Sequence, residues 1–356
     1  MPDVQAPAPG GGVRRVTQAD VAREAGVSRG LVSLALSGST QVSAASRERI
    51  VEAARRLGYR VNATAASLAS GRSGLIGLVL PDLRNPFFDF LAQALQEAAG
   101  QRGLTVLIVL SRGEGEGQEA VDALVGMRVE GLILVSPAMG ASAIRALGRE
   151  MPVCLVGRMD VGGSVDTVRL DEAAAAVAVV EHLAGVGAQR LVYVSPASGQ
   201  DPNAAERGGA LARAADEAAM PFHVVVDGPQ GAASDLRRAL AATRAAGAGR
   251  TGVVAHNDVI ALDALAVLAG LGDRVPLVSY DDTFLARREE FSITSVEQPV
   301  AAMARDAVGF LCQRSGRDPA GGPGLSAAQA LAAKGRNVTV APVLAVRRSS
   351  APARGS

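Results

Sequence analysis

Two sets of residues in this 356-residue chain could do chemistry, and they lie far apart. The first is a basic stretch. Val13 to Ser73 carries ten Arg against four Asp and Glu, a net of +6, so the rest must sum to −5 to reach the overall +1. A basic segment on an acidic body suits phosphate oxygens, although the chain holds a single Lys, Lys334, and is rich in Arg throughout. The second set stands where apolar runs end. It comprises Asp82, Asn85 and Phe87 in PDLRNPFF, Arg158 after VCLVG, Arg207 opening the helix after the RLVYVSP loop, Asn257 and Asp258 in HND, and Asp281 in SYDD. Arginine and aspartate presented to a cleft suit a polyhydroxylated ligand, because each can take two hydroxyls at once. The plainer reading of any one of them is an ion pair or cap at a strand–helix junction, and Asp258 could cap a helix beginning at Val259.

Patterns for catalysis are missing. The chain has no Gly-rich loop followed by Lys-Ser or Lys-Thr, and its body has no Gly-x-Ser-x-Gly elbow. His182, His223 and His256 are scattered, with no evident Ser or Cys partner. Cys154 and Cys312 sit in apolar contexts and read as buried free thiols of a reducing compartment. The expectation is a protein that is not an enzyme and has neither cofactor nor metal. No apolar run reaches eighteen residues, which gives no support to a membrane span. The start, MPDVQAPAPGGGVRR, lacks the apolar centre of an export signal and reads as a disordered lead of a cytoplasmic protein.

The elements that must position these residues follow from periodicity. Thr17, with Asp20 three residues on, begins a helix whose Val21, Ala22 and Ala25 share one face. Gly26 permits a tight turn, Ser28 can cap again, and Leu31, Val32, Ala35 and Leu36 form a second apolar stripe. A third helix after Ser43 buries Ile50, Ala53, Ala54 and Leu57 and stops at Gly58. Two short helices about a glycine-containing turn make a helix-turn-helix, whose second helix can enter the major groove of DNA.

From Ser73 onward, short apolar runs such as LIGLVLP, LTVLIVLS, GLILVSP and PVCLVG alternate with amphipathic stretches. After Asp171 the alternation begins again, with RLVYVS, FHVVVDG, GVVAHND and PLVSYDD as strands. Alternation of this kind argues parallel sheets with helices on both faces, and two such units imply a cleft at the carboxyl ends of their strands. An apolar content of 48% excludes wholesale disorder, and the length suffices for two or three domains.

VTQADVAREAGVSRGLVS, then VSAASRERIVEAARRLGY, then N-x-x-A-x-x-L resembles the lactose-repressor (LacI/GalR) family of bacterial transcription regulators, from Val16 to about Ser350. The resemblance implies phosphate contacts at Thr17, Ser28, Ser33 and Ser43, and base reading at Arg29 and Gly30, which open the recognition helix. A guanidinium can pair with guanine through two hydrogen bonds, worth about 1–3 kcal/mol of discrimination. Asn62, Ala65 and Leu68 fall in the family's hinge helix, with Leu68 the minor-groove wedge. Arg207, Asn257 and Asp281 match the effector cleft most closely, with Gln298 at a crossover. Three positions depart from the family pattern: Leu34 replaces a base-reading Arg, Gly30 a longer side chain and Ser37 an Asn. Leu34 can touch a thymine methyl but donates no hydrogen bond. Gly228, Pro229 and Gln230 stand where many relatives have a stacking aromatic, and Ala210 and Leu211 replace a Gly-aromatic pair.

The expected fold is an N-terminal all-α helix-turn-helix head with a hinge helix, joined to an α/β body of two doubly wound parallel-sheet subdomains, periplasmic-binding-protein-like. The expected boundaries are 1–15 for the lead, 16–61 for the head, 62–73 for the hinge helix and linker, 74–350 for the effector-binding and dimerisation domain, and 351–356 for the tail. Within the body the first subdomain takes about 74–171 and 298–325, the second about 172–297 and 336–350. The expected function is a ligand-responsive transcriptional regulator, a repressor by family habit. Its partners are a double-stranded DNA operator of pseudo-palindromic sequence, a sugar or polyol effector, and a second copy in a homodimer. The rival readings are a small-solute-binding protein or a sugar-handling enzyme with an appended DNA-binding head.

Overall fold

The computed structural model describes residues 16–36, 39–59, 72–111, 115–197, 203–226, 232–245, 249–270, 275–317 and 327–351. The chain divides into two compact units between Ser73 and Gly74. In the first, α1 (Gln18–Ala25), α2 (Arg29–Leu36) and α3 (Ala44–Arg56) close over Val21, Val32, Ala35, Ile50 and Ala53. Local chemistry sets the boundaries. Thr17 and Asp20 form a reciprocal capping box at the start of α1, and Gly26 ends it at φ 65°, a conformation that favours glycine.

The second unit holds two six-stranded sheets. Its elements begin with β1 (Leu75–Leu80), α4 (Pro86–Gly100), β2 (Thr105–Leu110), α5 (Glu116–Gly126), β3 (Leu132–Val135), α6 (Ala141–Glu150), β4 (Val153–Val156) and β5 (Asp166–Leu170). They continue with α7 (Glu172–Gly185), β6 (Arg190–Ser195), α8 (Asn203–Glu217), β7 (Phe222–Val226), α9 (Ala232–Ala245), β8 (Thr251–Ala255), α10 (Asp258–Ala269) and β9 (Leu277–Asp281). The chain ends through α11 (Phe284–Arg287), β10 (Thr294–Glu297), α12 (Val300–Arg314), α13 (Ala327–Ala332), β11 (Asn337–Val340) and β12 (Val343–Ala345).

The first sheet runs β11-β5-β4-β3-β1-β2, all parallel. The second runs β12-β10-β9-β8-β6-β7, parallel except for β12, which lies antiparallel to β10. The chain passes between sheets after β5, after β10 and after β11. Central strands such as β3, β4 and β8 are buried throughout, which is why they read as unbroken apolar runs. One apolar cluster extends from Leu78 and Val156 in the first sheet to Tyr193 and Tyr280 in the second.

The last segment corrects the sequence reading. The expected boundaries give 336–350 to the second subdomain, whereas Asn337–Val340 pairs with β5 in the first sheet and only Val343–Ala345 joins the second. Pro342 stands between them, and a proline has no N–H for a ladder and a fixed φ. Two elements escape the apolar-run reading altogether. Strand β5, DTVRL, carries Asp and Arg within it, and α6 opens on GASA, which has no capping side chain to mark it.

Asp166 in β5 is tolerated at zero exposure because Arg314 and Arg336 both grip it, at 2.6 and 2.9 Å. Burial works to raise its pKa, and the two guanidinium groups outweigh burial and hold it low. Cys154 and Cys312 are both buried with free thiols. Among the described residues no helix is long and apolar enough to cross a membrane.

Candidate functional site

In the head, each predicted contact residue has a defined local setting. Thr17 accepts the Asp20 N–H at 3.3 Å, Ser28 accepts that of Leu31 at 3.2 Å and Ser43 that of Ser46 at 3.3 Å. All three hydroxyls are exposed at helix starts, where the free N–H groups and the positive end of the dipole favour anions. Arg29, Gly30, Ser33 and Leu34 are exposed and share one face of α2, while Val32 and Ala35 on the other side are buried. The helix therefore has one side packed and one side open to a groove. Arg47 plays a different part that the sequence does not disclose. Its guanidinium donates to the carbonyls of Ala35 at 3.0 Å and Ser39 at 2.6 Å, and so ties α3 to the end of α2. Asn62, Ala65 and Leu68 lie outside the described residues.

In the body, Asp281 is the centre of the predicted cluster. It ends β9 and is buried. Its Oδ1 accepts from Gln298 Nε2 at 2.6 Å and its Oδ2 from Asn85 Nδ2 at 2.7 Å. Gln298 lies where the chain leaves the second sheet, and Asn85 caps α4 beside the first, accepting the Phe87 N–H at 3.1 Å. Strand-end geometry thus brings three of the predicted residues together across the two subdomains. The backbone at Asp281 and Asp282 has φ of 95° and 47°, a region that costs a non-glycine residue about 1–3 kcal/mol.

Asp258 holds that turn. It is fully buried at the start of α10 and accepts from Thr283 N at 2.6 Å, Thr283 Oγ1 at 2.9 Å and Ser295 Oγ at 2.9 Å. Burial and the neighbouring Asp281 charge push its carboxyl up to about 6 against those donors. Burial likewise raises Asp281, opposed mainly by Arg207. The cap of α10 is Asn257, which accepts the Ile260 N–H at 3.0 Å; Asp258 does not cap it.

Arg207 lies one turn inside α8 rather than at its opening, and it is buried. Its Nε and Nη2 meet Glu172 at 3.1 and 2.8 Å, its Nη1 reaches the His256 carbonyl at 2.5 Å, and it lies 4.0 Å over the Tyr280 ring. Burial alone would lower its pKa; the Glu172 charge outweighs burial and raises it. His256 Nδ1 in turn meets the Tyr193 hydroxyl at 2.7 Å.

Other predicted residues are engaged locally. Arg158 donates to the carbonyls of Pro137 at 2.5 Å and Met139 at 2.8 Å, and Asp82 pairs with Arg84 at 3.1 Å. Phe87 is 6% exposed and packs edge-on with Phe88 in the core, so this conformation offers a ligand little of its ring. Glu172, Glu206, Arg169 and Asn203 were not singled out by sequence. Asn203 donates to Glu172 at 3.0 Å and Arg169 pairs with Glu206. Glu172 follows the capping Asp171 and looks like any first-turn acid, so nothing local reveals its partner 35 residues on.

Known proteins place the whole arrangement. Residues 17–62 match the model of bacterial regulatory proteins, lacI family, and residues 180–350 that of a periplasmic binding protein-like domain. The transcriptional regulator GalS of Salmonella typhimurium is 32% identical over 308 residues, covering 84% of this chain and 89% of that protein. PtxS of Pseudomonas plecoglossicida is 30% identical over 310 residues, covering 84% and 89%. A solved LacI transcriptional regulator from a Rhodococcus species is 27% identical with a TM-score of 0.65, covering 78% of this chain and 98% of its own. The lac repressor dimer bound to operator and an anti-inducer is 24% identical with a TM-score of 0.77, covering 95% and 99%, a likeness of fold. A helix-turn-helix with one open face, a two-sheet body and relatives of this similarity along most of its length make the chain a member of the lacI family of bacterial regulatory proteins, a DNA-binding regulator of transcription.

Proposed function

We propose that the chain is a cytoplasmic repressor that binds a pseudo-palindromic operator as a homodimer, and that a small polyhydroxylated effector binding between its subdomains alters its grip on DNA. The observation that carries this reading is the Asp281 carboxylate, buried at a strand end and held from both subdomains by Asn85 and Gln298. A ligand hydroxyl that takes the place of either amide changes how the two halves are joined. Effector and operator are then linked reciprocally: a ligand that weakens DNA binding is itself bound less tightly by the DNA-bound form. Similar proteins support the ligand class, among them a ribose operon repressor from Halalkalibacterium halodurans at 29% identity and a regulator, CelR, solved with cellobiose at 25%.

On the DNA side, Thr17, Ser28, Ser33 and Ser43 position the head on phosphates while Arg29, Gly30 and Leu34 meet base edges. Asn62, Ala65 and Leu68 keep the hinge roles that the family resemblance gives them. The experiment is a gel shift on the promoter next to the protein's own gene, paired with calorimetry on a panel of sugars and polyols. Binding to the promoter falls as salt rises, and Arg29→Ala weakens specific binding much more than binding to random duplex. Asp281→Ala abolishes the effector signal. Equal loss on both duplexes assigns Arg29 to phosphate, and retained effector affinity moves the ligand site elsewhere.

A further inference from the structure

An anionic ligand needs a cation it can grip, and the buried guanidinium of Arg207 beside the second sheet's strand ends is already taken. The Nε and Nη2 edge of Arg207 is the edge that a carboxylate or phosphate holds through two parallel hydrogen bonds. Glu172 occupies it, with Nε at 3.2 and 3.1 Å from the two carboxylate oxygens and Nη2 at 2.8 Å from one. Nη1 is turned to the His256 carbonyl and one face of the group is covered by Tyr280. Both partners of the ion pair are nearly without exposure, at 3% and 4% of their side chains.

The surrounding charge adds to the exclusion. Asp281 and Asp258 stand on the same side of the second sheet's strand ends, and Glu206 is within electrostatic reach of both Glu172 and Arg207. Arg169 is paired with Glu206. In this cluster two guanidinium groups thus face four carboxyl groups, while Arg158, the other predicted cleft arginine, is turned to the Pro137 and Met139 carbonyls. At low exposure a further negative charge is repelled more strongly than in water. Five buried side-chain polar atoms among the described residues have no hydrogen-bond partner, and three of them, Glu206 Oε2, Arg169 Nε and the Tyr280 hydroxyl, belong to this cluster. The carboxylate oxygen accepts, and the phenol and the Arg169 N–H donate. Neutral hydroxyls satisfy all three, because they carry a proton for the carboxylate and lone pairs for the two donors. A sugar acid or phosphate keeps most of those hydroxyls but adds anionic oxygens, which have no proton for Glu206 and bring a charge that the carboxyl groups repel.

Taking the cleft as the effector site, we infer that it selects an uncharged polyhydroxylated ligand and excludes sugar acids and sugar phosphates, with Glu172 enforcing the choice by occupying Arg207. The test uses the full chain and matched probes: D-glucose, D-glucuronate and D-glucose 6-phosphate, the same three forms of D-galactose, and inorganic phosphate. For the sugar skeleton that binds, its acid and its phosphate bind at least about tenfold more weakly than the neutral parent. An acid or phosphate that equals or exceeds its parent overturns the inference.

Glu172→Gln uncovers Arg207, so inorganic phosphate raises its thermal midpoint by mass action. The rise is read against the double variant Glu172→Gln/Arg207→Gln, which lacks the cation. Equal responses of the single and double variants also overturn the inference. Should no neutral sugar bind while the single variant alone responds to phosphate, the effector reading fails and the role of Glu172 stands. If Glu172→Gln does not fold, the ranking of the three forms on the wild-type chain decides.

Discussion

Asp258 shows how a single carboxylate can set the shape of a site while weakening the fold that carries it. Three donors favour its charged form, yet burial and Asp281 win and raise it to about 6. An unfolded aspartate titrates near ~3.9, so the folded state binds this proton more tightly. The resulting stability is fully present below about pH 4 and is lost as pH rises through about 6, roughly 3 kcal/mol across the window. Asp281, also raised by burial, adds to the decline. Asp166 acts in the opposite sense, being held low, and its contribution is lost only as pH falls below that window. Asp258→Asn keeps an acceptor for Thr283 and removes the titration. Denaturant unfolding from pH 4.5 to pH 7 should therefore show a shallower decline in the variant than in the wild type; identical slopes would sink this assignment. Asp281 was legible because it ends an apolar run, and Asn85 because it precedes a proline-started helix. Glu172 was not, since its meaning depends on Arg207 and on a fold that brings α7 against α8.

At the scale of elements, caps and apolar runs predicted most of what forms. Thr17, Ser43 and Gly58 mark the head's helix ends, and unbroken runs mark β1, β3, β4 and β8. The failures share a cause, which is that the stabilising partner is distant in sequence. Strand β5 is interrupted by Asp166 and Arg169, whose charges are met by Arg314 and Arg336 in one case and Glu206 in the other. A glycine inside a strand is the complementary signal. Gly77 sits in β1 where a Cβ would lie 2.6 Å from Leu132 Cδ2 and 2.8 Å from Leu124 Cδ1. Both leucines are fully buried and hemmed in by the same cluster, so neither can yield cheaply. Gly77→Ala is expected to destabilise the body by about 1–3 kcal/mol through overpacking, despite the better strand entropy of alanine. A denaturation midpoint unchanged or raised would show that α5 can move away from the sheet.

For the molecule as a whole, the decisive question is what joins the two halves of the body when no effector is present. Chain crossings provide the hinge, and they resist separation far less than packing does. Across the cleft, Asn85 donates to Asp281 at 2.7 Å, and Phe90 meets Phe284 edge-on at 6.4 Å with Phe284 48% exposed. A hydrogen bond to a charged acceptor contributes about 1.5–3 kcal/mol and a half-exposed aromatic pair at most about 1 kcal/mol. Beside the apolar cluster and the Arg169–Glu206 pair, which also join the halves, these two contacts add only a few kcal/mol, an amount that one ligand can offset. Asn85→Ser isolates the bridge, because serine still caps α4 but is too short to reach Asp281. Spin labels on Gln93→Cys in α4 and Glu289→Cys after α11 report the separation, the native Cys154 and Cys312 being buried. Asn85→Ser should lengthen and broaden the label-to-label distances in the ligand-free protein, with α4 intact by circular dichroism. A distribution that matches the unsubstituted protein would mean that closure rests on the crossings and the apolar cluster, and that Asp281 is not the clasp.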